Sequence, residues 1–160
     1  MNVSVQIDLR QVEASDLPFF FQFQLDPDAN RMAAFTAKDP SDRAAFDAHW
    51  ERILTSETVL IRTIVCDGEV AGSVLSYVME DTPEVSYWIG KPYWGKGIAT
   101  EALKQFLEIQ AERPIYARVA CDNTGSIRVL EKCEFIVQRT ESGYANARGS
   151  EIDEFVMVLE

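Results

Sequence analysis

Val85–Thr100 reads VSYWIGKPYWGKGIAT. A strand-like segment runs into a glycine-rich turn, and a helix leaves the turn at once. Gly95 and Gly97 remove Cβ atoms where something must approach the backbone closely. The first turn of the following helix offers unpaired N–H groups and the positive end of its dipole. Such an end suits an anion, so a phosphate-bearing ligand is the first expectation.

Outward from this run, Val3–Leu9 alternates as a strand, and Ser15 is a candidate N-cap for a helix through Phe20 and Phe23 toward Leu25. Asp26-Pro27 is read as its end, and Asp39-Pro40-Ser41 as the start of a second helix carrying Phe46, Trp50 and Ile53. Thr58–Cys66 and Glu69–Val78 form a hairpin around Asp67-Gly68, and Pro83–Gly90 is a further strand. Ile98–Ala111 reads as a helix and Pro114–Ala120 as a strand. Asp122-Asn123-Thr124 caps a helix through Leu130, and Phe135–Thr140 and Glu154–Leu159 are the last strands. This order predicts an α+β chain: a mixed, mostly antiparallel sheet with a central βαβ unit, flanked by about four helices.

The length of 160 residues suits one domain, residues 1–160, with a proper core. No apolar run approaches the roughly 18 residues of a membrane span. MNVSVQIDLR has neither a basic nor a hydrophobic leader region, so export is not expected. Cys66, Cys121 and Cys133 cannot all pair and read as reduced thiols of a cytoplasmic protein. They give no metal signature, since there is no CxxC and His49 is the only histidine. A net charge of −11 argues against nucleic acid and anionic membranes as partners; it suits cationic acceptors such as amines, and solubility alone accounts for it as well.

Gly90–Lys96 fits the Walker A spacing, but Gly97 stands where Ser or Thr must hold Mg²⁺. A dinucleotide fingerprint over Gly95-x-Gly97-x-x-Thr100 lacks its third glycine and a second βαβ unit. A third reading uses far more of the chain. Glu84–Gly90, Tyr93–Ala102, Asn123-x-x-Ser126 and Val129-Leu130-Glu131-Lys132-x-x-Phe135 resemble the GCN5-related N-acetyltransferases (GNAT), in particular their RimJ/RimL-like, ribosomal-protein-alanine acetyltransferase-like branch. Before residue 70 the resemblance is architectural only.

The resemblance implies acetyl-CoA as donor, its pyrophosphate on the backbone amides of Gly95, Lys96, Gly97, Ile98 and Ala99, with Thr100 following in the first helical turn. Trp94 replaces the family's usual Gln or Arg, and Lys96 compensates only through charge. Backbone groups near Tyr87 and Ile89 are implied to pair with pantetheine amides, and a free N–H beside the thioester to stabilise the oxyanion. Asn123 matches a cofactor-binding asparagine, and plain N-capping accounts for it as well. Lys132 is implied near the nucleotide end, where a surface lysine fits equally. Glu84 matches the general base, with an exposed strand-edge glutamate as the alternative, and Ser126 the general acid. Tyr87 and Tyr144 are phenolic alternatives for the acid. Glu134 replaces the glycine of the usual K-x-G-F, which implies either a different termination of that helix or strain at its end.

The implied activity is acetyl transfer to a primary amine, a protein N-terminus or a small molecule, with a homodimer left open. The alternative is a noncatalytic acetyl-CoA-binding sensor module. Phe19, Phe20, Phe21 and Phe23 cannot all face one core, so at least one is expected at the second helix, a pocket or a partner. Asp26, Asp28, Asp39 and Asp42 are candidates for a cationic mouth.

Overall fold

The computed structural model describes residues 5–160; Val3 and Ser4, where the first strand was expected to begin, lie outside them. The elements are β1 (Ile7–Arg10), α1 (Leu17–Gln24), α2 (Pro27–Ala33), α3 (Arg43–Thr55), β2 (Leu60–Cys66), β3 (Glu69–Met79), β4 (Thr82–Ile89), α4 (Ile98–Ile109), β5 (Ile115–Ala120), α5 (Thr124–Lys132), β6 (Ile136–Ala145) and β7 (Ser150–Leu159). One seven-stranded sheet runs β1-β2-β3-β4-β5-β7-β6. All its pairings are antiparallel except β4–β5, the pair that α4 connects.

Strand alternation divides the side chains between two faces. Val85, Ile89, Ile115, Ala117 and Met157 pack with Leu103 and Phe106 of α4 and Leu130 of α5. The opposite face buries Ile61 with Phe20 of α1 and Phe46 and Trp50 of α3, Phe20 stacking on Trp50 at 4.8 Å. The phenylalanine run divides as its spacing demands. Phe20 enters this core, Phe21 meets Phe46 edge-on at 5.1 Å, and Phe19 is exposed. Phe23 turns to the end of β4, where a Cβ on Gly90 would stand 2.6 Å from its ring.

Two helix signals read differently in three dimensions. Ser15 lies inside a 3-10 turn (Ala14–Asp16) and is not a helix cap. Asp26-Pro27 ends α1 but also starts α2, because Asp26 Oδ1 accepts the Ala29 N–H at 2.9 Å and Pro27 occupies the first helical position. The α-helices among the described residues therefore number five.

α5 ends with the Phe135 N–H on the Leu130 carbonyl at 3.0 Å, and Glu134 takes φ 72° to allow it. A side chain at such a φ costs roughly 1–2 kcal/mol, and this one is exposed. Glu134→Gly is expected to stabilise the fold by about 0.5–1 kcal/mol after glycine's greater chain entropy is deducted. The rise in Tm should be about 2 °C by thermal unfolding, and a fall would refute strain at this position.

Candidate active site

β4 and β5 are joined at a single pair, Glu84 with Tyr116, and diverge beyond it. A source of added twist lies one strand away. β2 and β3 slip register between Ile64 and Val65, and such a bulge increases local twist. The end of β4 then presses on β3, where a Cβ at Gly72 would meet the Trp88 carbonyl oxygen at 2.0 Å.

The Gly90 N–H donates to the Ala71 carbonyl at 2.8 Å, so alternation turns the backbone groups of Tyr87 and Ile89 away from β3, into the gap. The Ile89 carbonyl is occupied: the Trp94 indole N–H donates to it at 2.8 Å. The Tyr87 backbone and the Ile89 N–H remain for an extended ligand.

At the gap's mouth, Gly95 and Gly97 take φ of 76° and 74°, and a Cβ at either would meet nothing within 4 Å. Their glycine character therefore serves backbone conformation and open space, not protein packing. Gly97 caps α4 without a side chain, and the first intrahelical bond is from the Glu101 N–H to the Gly97 carbonyl at 3.2 Å. The amides of Ile98, Ala99 and Thr100 thus have no intrahelical acceptor. The Lys96 ammonium lies over the Tyr93 ring, 5.8 Å from its centroid.

Across the gap, Asn123 caps α5: its Oδ1 accepts the Ser126 N–H at 3.2 Å, and its Nδ2 donates to the Met32 carbonyl at 3.2 Å. Ser126 Oγ is 2.5 Å from the Tyr87 hydroxyl. Burial pushes the Tyr87 phenol up to about 12. Lys132 is exposed in the last turn of α5, about 9 Å along the axis from Ser126. Tyr144 is 63% exposed on the edge strand β6 and does not join the group.

Glu84 points to the opposite face from Tyr87, so Glu84 and Ser126 flank the gap from the two sides of the sheet. Glu84 is 4% exposed, against the reading of it as a surface edge residue. It is not a lone carboxylate either. Arg118 Nε is 3.3 Å from Glu84 Oε1, and its Nη1 reaches Glu141 at 2.6 Å and Glu154 at 3.0 Å. The Tyr77 hydroxyl donates to Glu84 at 3.4 Å and is itself pushed up to about 12, by burial first and then by the Glu84 charge. Arg118, Glu141, Glu154 and Tyr77 escaped the sequence reading. The one signal was an arginine inside the apolar strand IYARVA. Glu84, Arg118, Tyr116 and Arg139 line a cleft of about 170 Å³.

The four aspartates proposed for a cationic mouth are mostly engaged elsewhere. Asp26 and Asp42 cap helices, Asp28 pairs with Lys91, and Asp39 accepts from Ser41. Asp39 alone of these lines a second cleft, of about 400 Å³, between the 25–41 segment and Asn146–Ala147.

Residues 6–136 match the acetyltransferase (GNAT) domain family. The chain belongs to the GNAT acetyltransferases. It is 26% identical over 165 residues to "Uncharacterized N-acetyltransferase p20" of Bacillus licheniformis, covering 96% of this chain and 92% of that protein. Its fold is similar to that of RimJ of Mycobacterium smegmatis in complex with CoA-disulfide, with a TM-score of 0.80, 21% identity and coverage of 96% and 81% of the two chains. It is also similar to spermidine N-acetyltransferase of Vibrio cholerae in complex with CoA and spermine, with a TM-score of 0.81, 18% identity and coverage of 96% and 95%. The ribosomal L7/L12 α-N-protein acetyltransferase RimL, bound to CoA, gives 0.81 and 19%, with 99% and 96% covered. In this GNAT acetyltransferase β4 and β5 pair only at Glu84 and Tyr116, and among its described residues no helix is long and apolar enough to cross a membrane. Its three cysteines are free thiols, each pushed up by burial.

Proposed function

We propose that the chain, as one catalytic domain over residues 1–160, transfers acetyl from acetyl-CoA directly to a primary amine in a ternary complex. The observation that supports this most is the gap beyond Glu84–Tyr116, flanked by a carboxylate on one face and a hydroxyl on the other. Pyrophosphate is held by the amides of Gly95 to Ala99, at the start of α4, without a metal. The pantetheine arm lies in the gap and pairs with the Tyr87 and Ile89 backbone as a false strand. Asn123 keeps a second amide hydrogen for the cofactor, and Lys132 serves only the nucleotide end.

The amine arrives on the Glu84 face and adds to the thioester carbon. Glu84 accepts its proton, directly or through water, while Arg118 and Tyr77 hold the carboxylate in place. A β4 N–H stabilises the oxyanion, and Ser126 meets the departing sulfur from the other face. The acceptor is a protein N-terminus or a small-molecule amine: the RimL relative is named for an N-terminal protein substrate, and the Vibrio relative was captured with spermine. The free thiols suit a reducing, cytoplasmic compartment.

The test is a panel of amines (N-terminal peptides, polyamines, amino acids and aminoglycosides) with acetyl-CoA, following free thiol and product mass. Thiol release with matching acetylated product supports the reading. Acetyl-CoA binding with no release on any amine points to the noncatalytic sensor. Glu84→Gln should lower kcat/KM by about tenfold to a hundredfold at neutral pH. The loss should shrink at high pH, where the acceptor amine is already deprotonated. Unchanged rates across pH would remove Glu84 as the base.

A further inference from the structure

The contact between Tyr87 and Ser126 joins residues 39 positions apart, one on β4 and one in the first turn of α5. Either oxygen can donate, and the chemistry of the two groups decides. A phenol is a stronger acid, and hence the better donor, than an aliphatic hydroxyl. The Tyr87 ring packs against the core beside Val85 and Ile89, so its hydroxyl is delivered by a rigid strand. Ser126 is fixed from behind by the cap bond from its own N–H to Asn123.

We infer that Tyr87 is a positioning residue: its hydroxyl donates to Ser126 Oγ and thereby turns the serine's single hydrogen toward the departing sulfur. This rests on the reading of Ser126 given under the proposed function and sharpens it. As the tetrahedral adduct collapses, the C–S bond breaks and its electron pair leaves on sulfur, the amine proton having gone to Glu84. A serine hydroxyl is a far weaker acid than a thiol, so Ser126 does not surrender its proton. It donates a hydrogen bond to the thiolate, which takes its proton from water afterwards. Tyr87 stays protonated throughout, since burial pushes it up to about 12. The other titratable group acting on it, the Cys133 thiol, is pushed up by burial as well and stays neutral. Tyr87 and Ser126 are thus an oriented donor pair, not a proton source.

The test uses the full chain with CoA and needs no acceptor. The thiol of bound CoA is titrated by its thiolate absorbance in wild type, Tyr87→Phe, Ser126→Ala and the double variant. The donor pair should hold the bound thiol below its value in either single variant by about one unit, close to tenfold in thiolate population. The double variant should match Ser126→Ala, because Tyr87 acts only through Ser126. Ser126→Thr, which keeps the hydroxyl, should restore most of the shift. CoA affinity at a pH where the thiol is protonated should stay within about threefold in all four, consistent with an intact fold. A Tyr87→Phe titration identical to wild type, with Ser126→Ala shifted, overturns the positioning role alone. An additive double variant overturns it too, since Tyr87 would then reach the sulfur independently. If neither single variant moves the titration although CoA binds, the reading of Ser126 itself has failed.

Discussion

Gly97→Glu is expected to lower acetyl-CoA affinity by about a thousandfold while leaving the protein folded. Both halves of that result come from the same backbone. A Cβ at residue 97 meets nothing within 4 Å, so no protein atom must move to admit a side chain. The φ of 74° costs a non-glycine residue about 1–2 kcal/mol, which a domain of this size tolerates. A carboxylate beside the start of α4 even interacts favourably with the helix dipole. On the proposed reading the same contact abolishes binding, because the carboxylate takes the seat proposed for the pyrophosphate and repels it. Gly97→Ala is the control: it carries the same backbone strain without the charge, and should bind acetyl-CoA within about tenfold of wild type. Calorimetric titration beside a thermal melt separates the two effects. Equal weakening by Ala and Glu would mean that residue 97 matters for turn conformation and does not face the donor's charge.

The parts of this site that were legible in the sequence are those made by backbone. Glycines at 95 and 97 state their own conformational need, and the strand–turn–helix order around them fixes where free amides gather. Glu134 in place of glycine left two outcomes open, a different helix end or strain, and the chain takes the strained positive φ. What stayed hidden depends on side chains meeting across strands. In one dimension Arg118 shows only as a charge inside an apolar strand; it takes four neighbouring strands to bring Glu84, Glu154 and Glu141 to its guanidinium. Tyr87 and Ser126 share no local pattern at all. α2 was missed for a different reason. Asp-Pro both discourages helix before it and initiates helix after it, and only Asp26's bond to the Ala29 N–H decides between the two. The β6–β7 hairpin runs longer than expected, to Ala145 and from Ser150, because its added residues mix polar and apolar types without a clear alternation and take their regularity from the partner strand.

Asp16→Ala should destabilise the fold by about 3 kcal/mol, the lower end of what breaking a buried ion pair costs. Asp16 is 1% exposed, in the turn between β1 and α1. Arg10 grips its carboxylate with two bonds, at 2.7 and 2.8 Å. The Thr63 hydroxyl and the Glu13 N–H donate to it at 2.7 and 2.9 Å. Arg10 and Thr63 are cross-strand partners in β1 and β2, so the carboxylate ties the turn to both strands. Arg10 is partly exposed and can find water after the substitution, which keeps the loss from reaching the upper end. Thr63 is fully buried and cannot, so an orphaned hydroxyl accounts for part of the cost. Burial pushes the Asp16 carboxyl up, but Arg10, Glu13 and Thr63 outweigh it and hold the group below the usual carboxylate range. A depressed folded value means that Asp16 stabilises the native state above the unfolded carboxylate value of about 4 and ceases to do so as pH falls through the folded one. Denaturant unfolding across that acid window should therefore show a steeper loss of stability in wild type than in Asp16→Ala. Parallel curves, offset by a constant amount, would mean that the residue contributes packing and not charge. Replacing Asp16 and Thr63 together by Leu and Val should cost less than the sum of the single changes, because no buried polar group is then left without its partner.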